Sequence, residues 1–201
     1  MPIAEKNGNA LKLSQDMLEN VCKILSEHSL EYFGVRNIIV ELSAGQWLQY
    51  DLEGKILALV KKYRIDPQDL SLQIEAKVVN SAPNVVIDTL NALAKEGFSI
   101  IITNYGIGFT QFSRTFSVLS SSISIGDAFI QEKQNDAFIR DMIILIQGTG
   151  RKASLGRIES KEQAQKYMNM GCQSLAGDYF GKYMSLENLK NYLEGYDYGQ
   201  L

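Results

Sequence analysis

The chain has little of what most enzymes and membrane proteins need. It holds one histidine, two cysteines and three prolines in 201 residues. No segment approaches the ~20 apolar residues that span a bilayer, and the N-terminus lacks the apolar run of a signal peptide. No serine or cysteine lies in a nucleophile motif. We therefore expect no membrane insertion, and the single His28, without a base or ligand partner in sequence, is expected at a helix surface.

Excess charge of either sign is also missing. The formal net charge is −3 and the pI is about 5.3. Basic residues are scattered along the chain rather than clustered, so we expect no nucleic-acid partner.

The two cysteines, Cys22 and Cys172, lie far apart in sequence and belong to no CxxC pair. This usage is typical of reduced, buried thiols and predicts a cytoplasmic protein.

What the chain does contain is a repeated alternation of short apolar runs and amphipathic stretches. Its 45% hydrophobic content suits one folded domain, and no linker or low-complexity segment interrupts it. Alternation of this kind predicts parallel strands joined by helices, in an open sheet or a barrel. The predicted strands are Val35–Ser43, Leu70–Ala76, Phe98–Asn104, Ser121–Gly126, Ala153–Glu159 and Cys172–Gly177.

Residue choices at the ends of the amphipathic stretches predict helix boundaries. Pro83 opens one helix and Gly97 closes it. Ser160 and Gln163 fit a capping box at the start of another helix, and Ser185 caps the last one.

The most informative stretch runs from Ser99 to Ile130, where a strand, a glycine turn, a helix and a second strand follow one another. An enzyme built this way carries acidic metal ligands where the first strand ends. Thr103 and Asn104 occupy that place here.

Seven segments resemble, in order, the motifs of one bacterial family, the EAL domain, a barrel that hydrolyses the second messenger cyclic di-GMP. They are Pro2–Gly8 ("FIPxAExxG"), Ile39–Ser43 ("VNLS"), Leu72–Ala76 ("LEITE"), Thr103–Phe109 ("DDFGTGY"), Ser124–Ile130 ("KIDxxFV"), Gly156–Ser160 ("EGVET") and Gly171–Phe180 ("GCDxxQGYxF").

The resemblance implies an α/β, TIM-barrel-like fold. The family's opening strands, including the one with the Glu-Ala-Leu signature, would precede Met1. We therefore expect an incomplete barrel with about six of the eight strands. On this interpretation residues 1–201 form a single EAL-like domain that is truncated at its N-terminus.

The resemblance also implies that most of the family's pocket chemistry is absent. Active relatives hold Mg²⁺ or Mn²⁺ on carboxylates at strand ends. We call the nine positions that match the family's pocket residues the vestigial pocket positions. They carry Glu41 for asparagine, Gln73 for glutamate, Thr103 and Asn104 for two aspartates, Ser124 for lysine, Gly126 for aspartate, Gly156 for the catalytic glutamate and Ala176 for glutamine, while Glu159 is retained.

So few carboxylates cannot balance two dications in a partly desolvated pocket. We expect no catalytic residues, no bound metal and no cofactor, and a regulatory domain that acts by binding a protein or a second copy of itself. The alternatives are a cyclic di-GMP receptor that does not hydrolyse its ligand and, least favoured, an active phosphodiesterase.

Two remaining groups of residues each have two interpretations. Glu41, Gln73 and Glu75 form either a weak cation site or a solvated rim, where Glu75 can pair with Lys77. The glycines 106 and 108 form either a phosphate cradle or, as we favour, a tight turn with positive φ.

Arg157 and its neighbours Arg151 and Lys152 are possible phosphate ligands, although the last two precede their strand and fall on the wrong face of the barrel.

Phe109, Phe112 and Phe116 recur at helical spacing. This stripe packs into the core or, if exposed, forms an interaction surface, since the family's dimer contact involves the same region.

Overall fold

Six parallel strands form one sheet in the order of the chain. The structure, a computed structural model, describes residues 9–108, 110–130 and 136–195. The strands are β1 (Ile38–Glu41), β2 (Leu70–Glu75), β3 (Ser99–Tyr105), β4 (Ser122–Ile125), β5 (Lys152–Leu155) and β6 (Ser174–Leu175), and each pairs with the next. The predicted TIM-barrel-like α/β fold with six strands is confirmed.

Helices connect the strands and cover the outer face of the sheet. They are α1 (Ala10–Glu27), α2 (Leu30–Phe33), α3 (Ala44–Trp47), α4 (Leu52–Tyr63), α5 (Ala76–Ser81), α6 (Asn84–Lys95), α7 (Phe112–Phe116), α8 (Asp136–Gly148), α9 (Lys161–Asn169) and α10 (Leu186–Glu194). Single 3₁₀ turns lie at Pro67–Asp69 and Asp127–Phe129.

The strands have an apolar outer face and a largely polar inner face, on which Ile39 and Ile101 are apolar exceptions. In β2, Leu70, Leu72 and Ile74 are buried beneath the helices, while Ser71 and Gln73 line the concave side. This alternation explains how a parallel sheet keeps one polar surface, because only its convex face is covered. Burying the outer face of the sheet against α1 and α4–α9 forms the core.

Three strands are clearly shorter than the sequence predicts. β1 covers only Ile38–Glu41 of the predicted Val35–Ser43, because Ser43 already caps helix α3. β5 ends at Leu155 rather than Glu159, because Gly156 follows and Arg157 takes the left-handed conformation, φ 51°. β6 contains only Ser174 and Leu175, and Gly177 turns the chain away at φ 150°. β5 and β6 lose their last residues to positive φ, which extended pairing excludes.

The ring of helices spans a gap that the sheet leaves open. Among the described strands, β1 pairs only with β2 and β6 only with β5. Across this gap α10 contacts α2, where the Lys190 ammonium lies 4.1 Å from the centre of the Tyr32 ring. Leu186 is exposed, and α10 has no buried residue.

Both cysteines are free and buried, as predicted, and burial raises the pKa of the Cys22 thiol to about 11. Across the part of the chain that is described, no helix combines the length and apolar character needed to cross a membrane.

Candidate functional site

The concave face of the sheet encloses an open cavity of about 1120 Å³, which we call the lumen. All six strands contribute to its lining. Its mouth lies at the carboxyl ends of the strands, where parallel α/β barrels carry their active sites, and its floor lies at their amino ends. The charged residues that line the mouth are Glu41, Asp127, Arg157, Glu159 and Asp178.

Eight of the nine vestigial pocket positions come together in this lumen. In-register pairing sets Glu41 beside Gln73, and Glu75 beside Thr103. The lining residues among the nine are Glu41, Gln73, Thr103, Asn104, Ser124, Gly156, Glu159 and Ala176.

The ninth position, Gly126, is separated from the lumen by Ile107. A Cβ atom built on Gly126 would lie 2.1 Å from Cγ1 of Ile107, far inside van der Waals contact. The side chain of Ile107 therefore occupies the space into which an aspartate at this position would project.

The β3–α7 turn presents Ile107 in this place. Asn104, Gly106 and Gly108 all have positive φ, at 55°, 87° and 69°, and the Ile107 amide donates to the Asn104 carbonyl at 3.2 Å. These values are those of the tight turn that the glycine spacing predicts.

Gly156 is covered in a similar way by a carboxylate. A Cβ atom on Gly156 would lie 2.7 Å from Oδ1 of Asp127, whose Oδ2 is 3.7 Å from Nε of Arg157. Burial raises the pKa of Asp127, and the Arg157 guanidinium lowers it by less. The sequence analysis did not identify Asp127. The signal that could have found it is its place directly after Gly126, where the family resemblance implies an aspartate.

The acidic side chains of the mouth do not converge. Oε2 of Glu75 forms an ion pair with Nζ of Lys77 at 2.6 Å, which is the pairing proposed from the sequence. Thr103 Oγ1 donates to the Ile74 carbonyl at 3.4 Å. Nowhere among the described residues do three or more His, Cys, Asp or Glu side chains form a group able to hold a metal ion. The residues present therefore do not fit a pair of divalent cations.

The predicted aromatic stripe divides between core and surface. Phe116 packs edge-on against Tyr105, with ring centres 5.7 Å apart, and belongs to the core side. Phe112 stacks on Phe116 at 4.3 Å and remains 50% exposed. Phe109 lies outside the described residues.

Comparison with known families agrees with this geometry. Residues 1–183 match the family model described as the EAL domain. The chain belongs to the EAL domain family.

Curated relatives of this EAL domain are longer proteins. Over 193 residues it is 24% identical to the bifunctional diguanylate cyclase/cyclic di-GMP phosphodiesterase MucR of Pseudomonas aeruginosa. The alignment covers 94% of this chain and 28% of that protein. It is also 24% identical over 186 residues to the probable cyclic di-GMP phosphodiesterase PdeA of Escherichia coli, covering 90% of this chain and 25% of the relative. The chain thus spans about a quarter of the length of these relatives.

Solved EAL structures share the fold. The P. aeruginosa MucR phosphodiesterase in complex with c-di-GMP superposes with a TM-score of 0.83 at 22% identity, covering 94% of this chain and 84% of the other. The EAL domain of Mycobacterium smegmatis DcpA gives a TM-score of 0.84 at 18% identity, over 92% and 85% of the two chains.

Proposed function

We propose that this EAL domain is catalytically inactive and acts through protein–protein interaction in cyclic di-GMP signalling. The proposal treats residues 1–201 as one domain whose partner is a second copy or a neighbouring regulatory domain. The cytoplasmic location and the absence of a nucleic-acid partner stay predictions from the sequence.

The filling of the mouth is the observation that carries this proposal. Where the family resemblance implies two carboxylates, the chain has Gly126 and Gly156, and the side chains of Ile107 and Asp127 take up the space beside them. A pocket that had only lost its ligands would leave those spaces open. Two-metal hydrolysis needs several charged oxygens around both ions.

Hydrolysis is tested with the purified chain and cyclic di-GMP in the presence of Mg²⁺ or Mn²⁺. The phosphodiesterase domain of P. aeruginosa MucR is the positive control. We expect no linear dinucleotide above the no-protein background. Turnover by this chain that is abolished by Glu159→Gln would overturn the assignment as an inactive domain.

Interaction is tested through the oligomeric state and through Phe112. An exposed aromatic side chain stacked on a core ring is a typical anchor of a protein interface. We expect light scattering after size-exclusion chromatography to show a dimer, and Phe112→Glu to shift it toward monomer. The control is Val85→Glu, which changes an apolar side chain of α6 that is 63% exposed. A monomer that also captures no regulatory domain contradicts the proposal.

A receptor that binds cyclic di-GMP without cleaving it is the second candidate. The open lumen of about 1120 Å³ and the exposed Arg157 at its mouth favour this alternative. Calorimetric titration with the dinucleotide distinguishes the two, because saturable binding with no turnover supports the receptor.

A further inference from the structure

The floor of the lumen differs from its mouth in charge. Lys152 is the first residue of β5 and lines the lumen. The carboxylates of the lining, at Glu41, Asp127, Glu159 and Asp178, belong to the opposite end of the strands. At about 3.3 Å per residue, Lys152 lies about 13 Å along the chain from Gly156. The floor is therefore a separate environment from the vestigial pocket.

Serine side chains stand beside Ile39 and Ile101 on the concave face, where bulky apolar layers normally fill the interior of a barrel. Ser122 pairs in register with Lys152, and its hydroxyl donates to the Lys152 carbonyl at 3.0 Å. The same hydroxyl lies 3.3 Å from Oγ of Ser154, the next inward residue of β5. Ser122 is only 8% exposed, so its orientation is held by packing as well as by these bonds.

Lys152 and Gln173 bring side-chain hydrogen-bond donors to the floor, and both residues are exposed to solvent. Gln173 accepts a bond from the Ala153 amide through Oε1 at 3.2 Å, which leaves its NH₂ group as the free end of the side chain. Within the described ranges, no carboxylate forms an ion pair with the Lys152 ammonium. An ammonium supplies three donors, and a primary amide supplies two.

We propose that the floor of the lumen binds a phosphate group, with Lys152 as the charged ligand and Gln173 and Ser154 as its neutral partners. Phosphate oxygens only accept hydrogen bonds from such donors, and charge-assisted bonds are the strong ones. The group comes from free phosphate or from a phosphate monoester of a small metabolite. This proposal is independent of the proposed function, because none of these three residues is a vestigial pocket position.

Calorimetric titration of the purified chain tests the site, at constant ionic strength, with inorganic phosphate and then with glycerol 3-phosphate. We expect saturable binding at one site per chain. Tighter binding of the monoester would indicate an esterified ligand, and equal or weaker binding would indicate free phosphate. Absence of saturable binding for both probes overturns the proposal.

Charge removal at Lys152 supplies the decisive variant. Lys152→Gln should weaken binding at least about tenfold, whereas Lys152→Arg should bind within a few fold of the parent. The matched control is Lys161→Gln on the exposed start of α9, which should leave the affinity unchanged. Equal affinity of Lys152→Gln and the parent contradicts the site. Gln173→Ala gives the same decision if Lys152→Gln does not fold, since unchanged affinity there also contradicts it.

Discussion

At the scale of single residues, two glycines at the mouth have neighbouring side chains packed against them. Gly126 and Gly156 have no side chains of their own, and Ile107 and Asp127 lie over them. The two replacements differ chemically, because one is apolar and the other is a half-buried carboxylate whose pKa burial raises. At each position a larger residue would clash with the covering side chain, whereas the backbone conformation itself does not demand glycine.

This clash predicts that Gly126→Ala destabilises the fold. A methyl group at 2.1 Å from Cγ1 of Ile107 forces that side chain to move, and overpacking of this kind costs about 1–3 kcal/mol. Urea unfolding followed by circular dichroism measures the change in the free energy of unfolding. In an Ile107→Ala background the same substitution should cost clearly less, because the crowded atoms are gone.

A glycine without close neighbours provides the control. Gly45 lies in α3, and a Cβ atom built there meets nothing within 4 Å. Gly45→Ala should stabilise the protein by up to about 1 kcal/mol, through the better helix propensity of alanine. An equal cost for Gly126→Ala with and without Ile107 would show that the contact does not govern this position.

At the scale of elements, the sequence predicts the helix boundaries well because they depend on local chemistry. Ser160 and Ser185 accept bonds from the Gln163 and Asn188 amides, as N-cap residues do. Gln163 also accepts from the Glu159 amide at 2.8 Å. The sequence does not predict the strand end at Leu155, because Arg157 has positive φ and a non-glycine residue gives no local signal for that conformation.

Arg151 is a functional candidate whose role the sequence alone could not predict. The sequence offers it as a possible phosphate ligand, but its guanidinium donates to the carbonyls of Phe116 and Val118 at 2.9 and 2.8 Å and to Ser120 Oγ at 3.0 Å. It also lies 5.2 Å from the Phe116 ring centre. Contacts more than 30 residues away in sequence thus tie the start of β5 to the end of α7.

Arg151→Lys is therefore expected to destabilise the fold although it keeps the charge. A lysine cannot reproduce the forked set of bonds, so at least one carbonyl loses its partner, at a cost of about 1–3 kcal/mol. The free energy of unfolding in urea is the measurement. Arg140→Lys on the exposed face of α8 is the control and should stay within about 0.5 kcal/mol of the parent. Equal stability of the two variants would show that the hydrogen bonds of Arg151 do not stabilise the fold.

At the scale of the whole molecule, the sheet curves like part of a barrel, and its described strands leave a gap between β1 and β6. The alternation of strands and helices predicts parallel pairing but does not distinguish this curvature from a flat, doubly wound sheet; the resemblance to the EAL family supplied that distinction. The serines of the concave face carry a further signal. Ser71, Ser99 and Ser122 line the lumen where a closed barrel would contain bulky apolar residues, and the hydroxyls of Ser71 and Ser122 donate to Asn37 and to the Lys152 carbonyl.

Stability should accordingly be uneven across the molecule. Strands β2, β3 and β4 each have two neighbours, and Leu72, Ile100 and Ile123 on their outer faces are fully buried. Helix α10 has no buried residue, although it bridges the gap by contacting α2. Hydrogen–deuterium exchange on the dilute, monomeric chain should show the slowest exchange in the three central strands and the fastest helix exchange in α10. The internal control is α6, which is anchored by Val86, Leu90 and Leu93 and should exchange more slowly than α10. If α10 is protected as strongly as α6 under these conditions, the bridge across the gap is a stable part of the fold rather than a weakly held one.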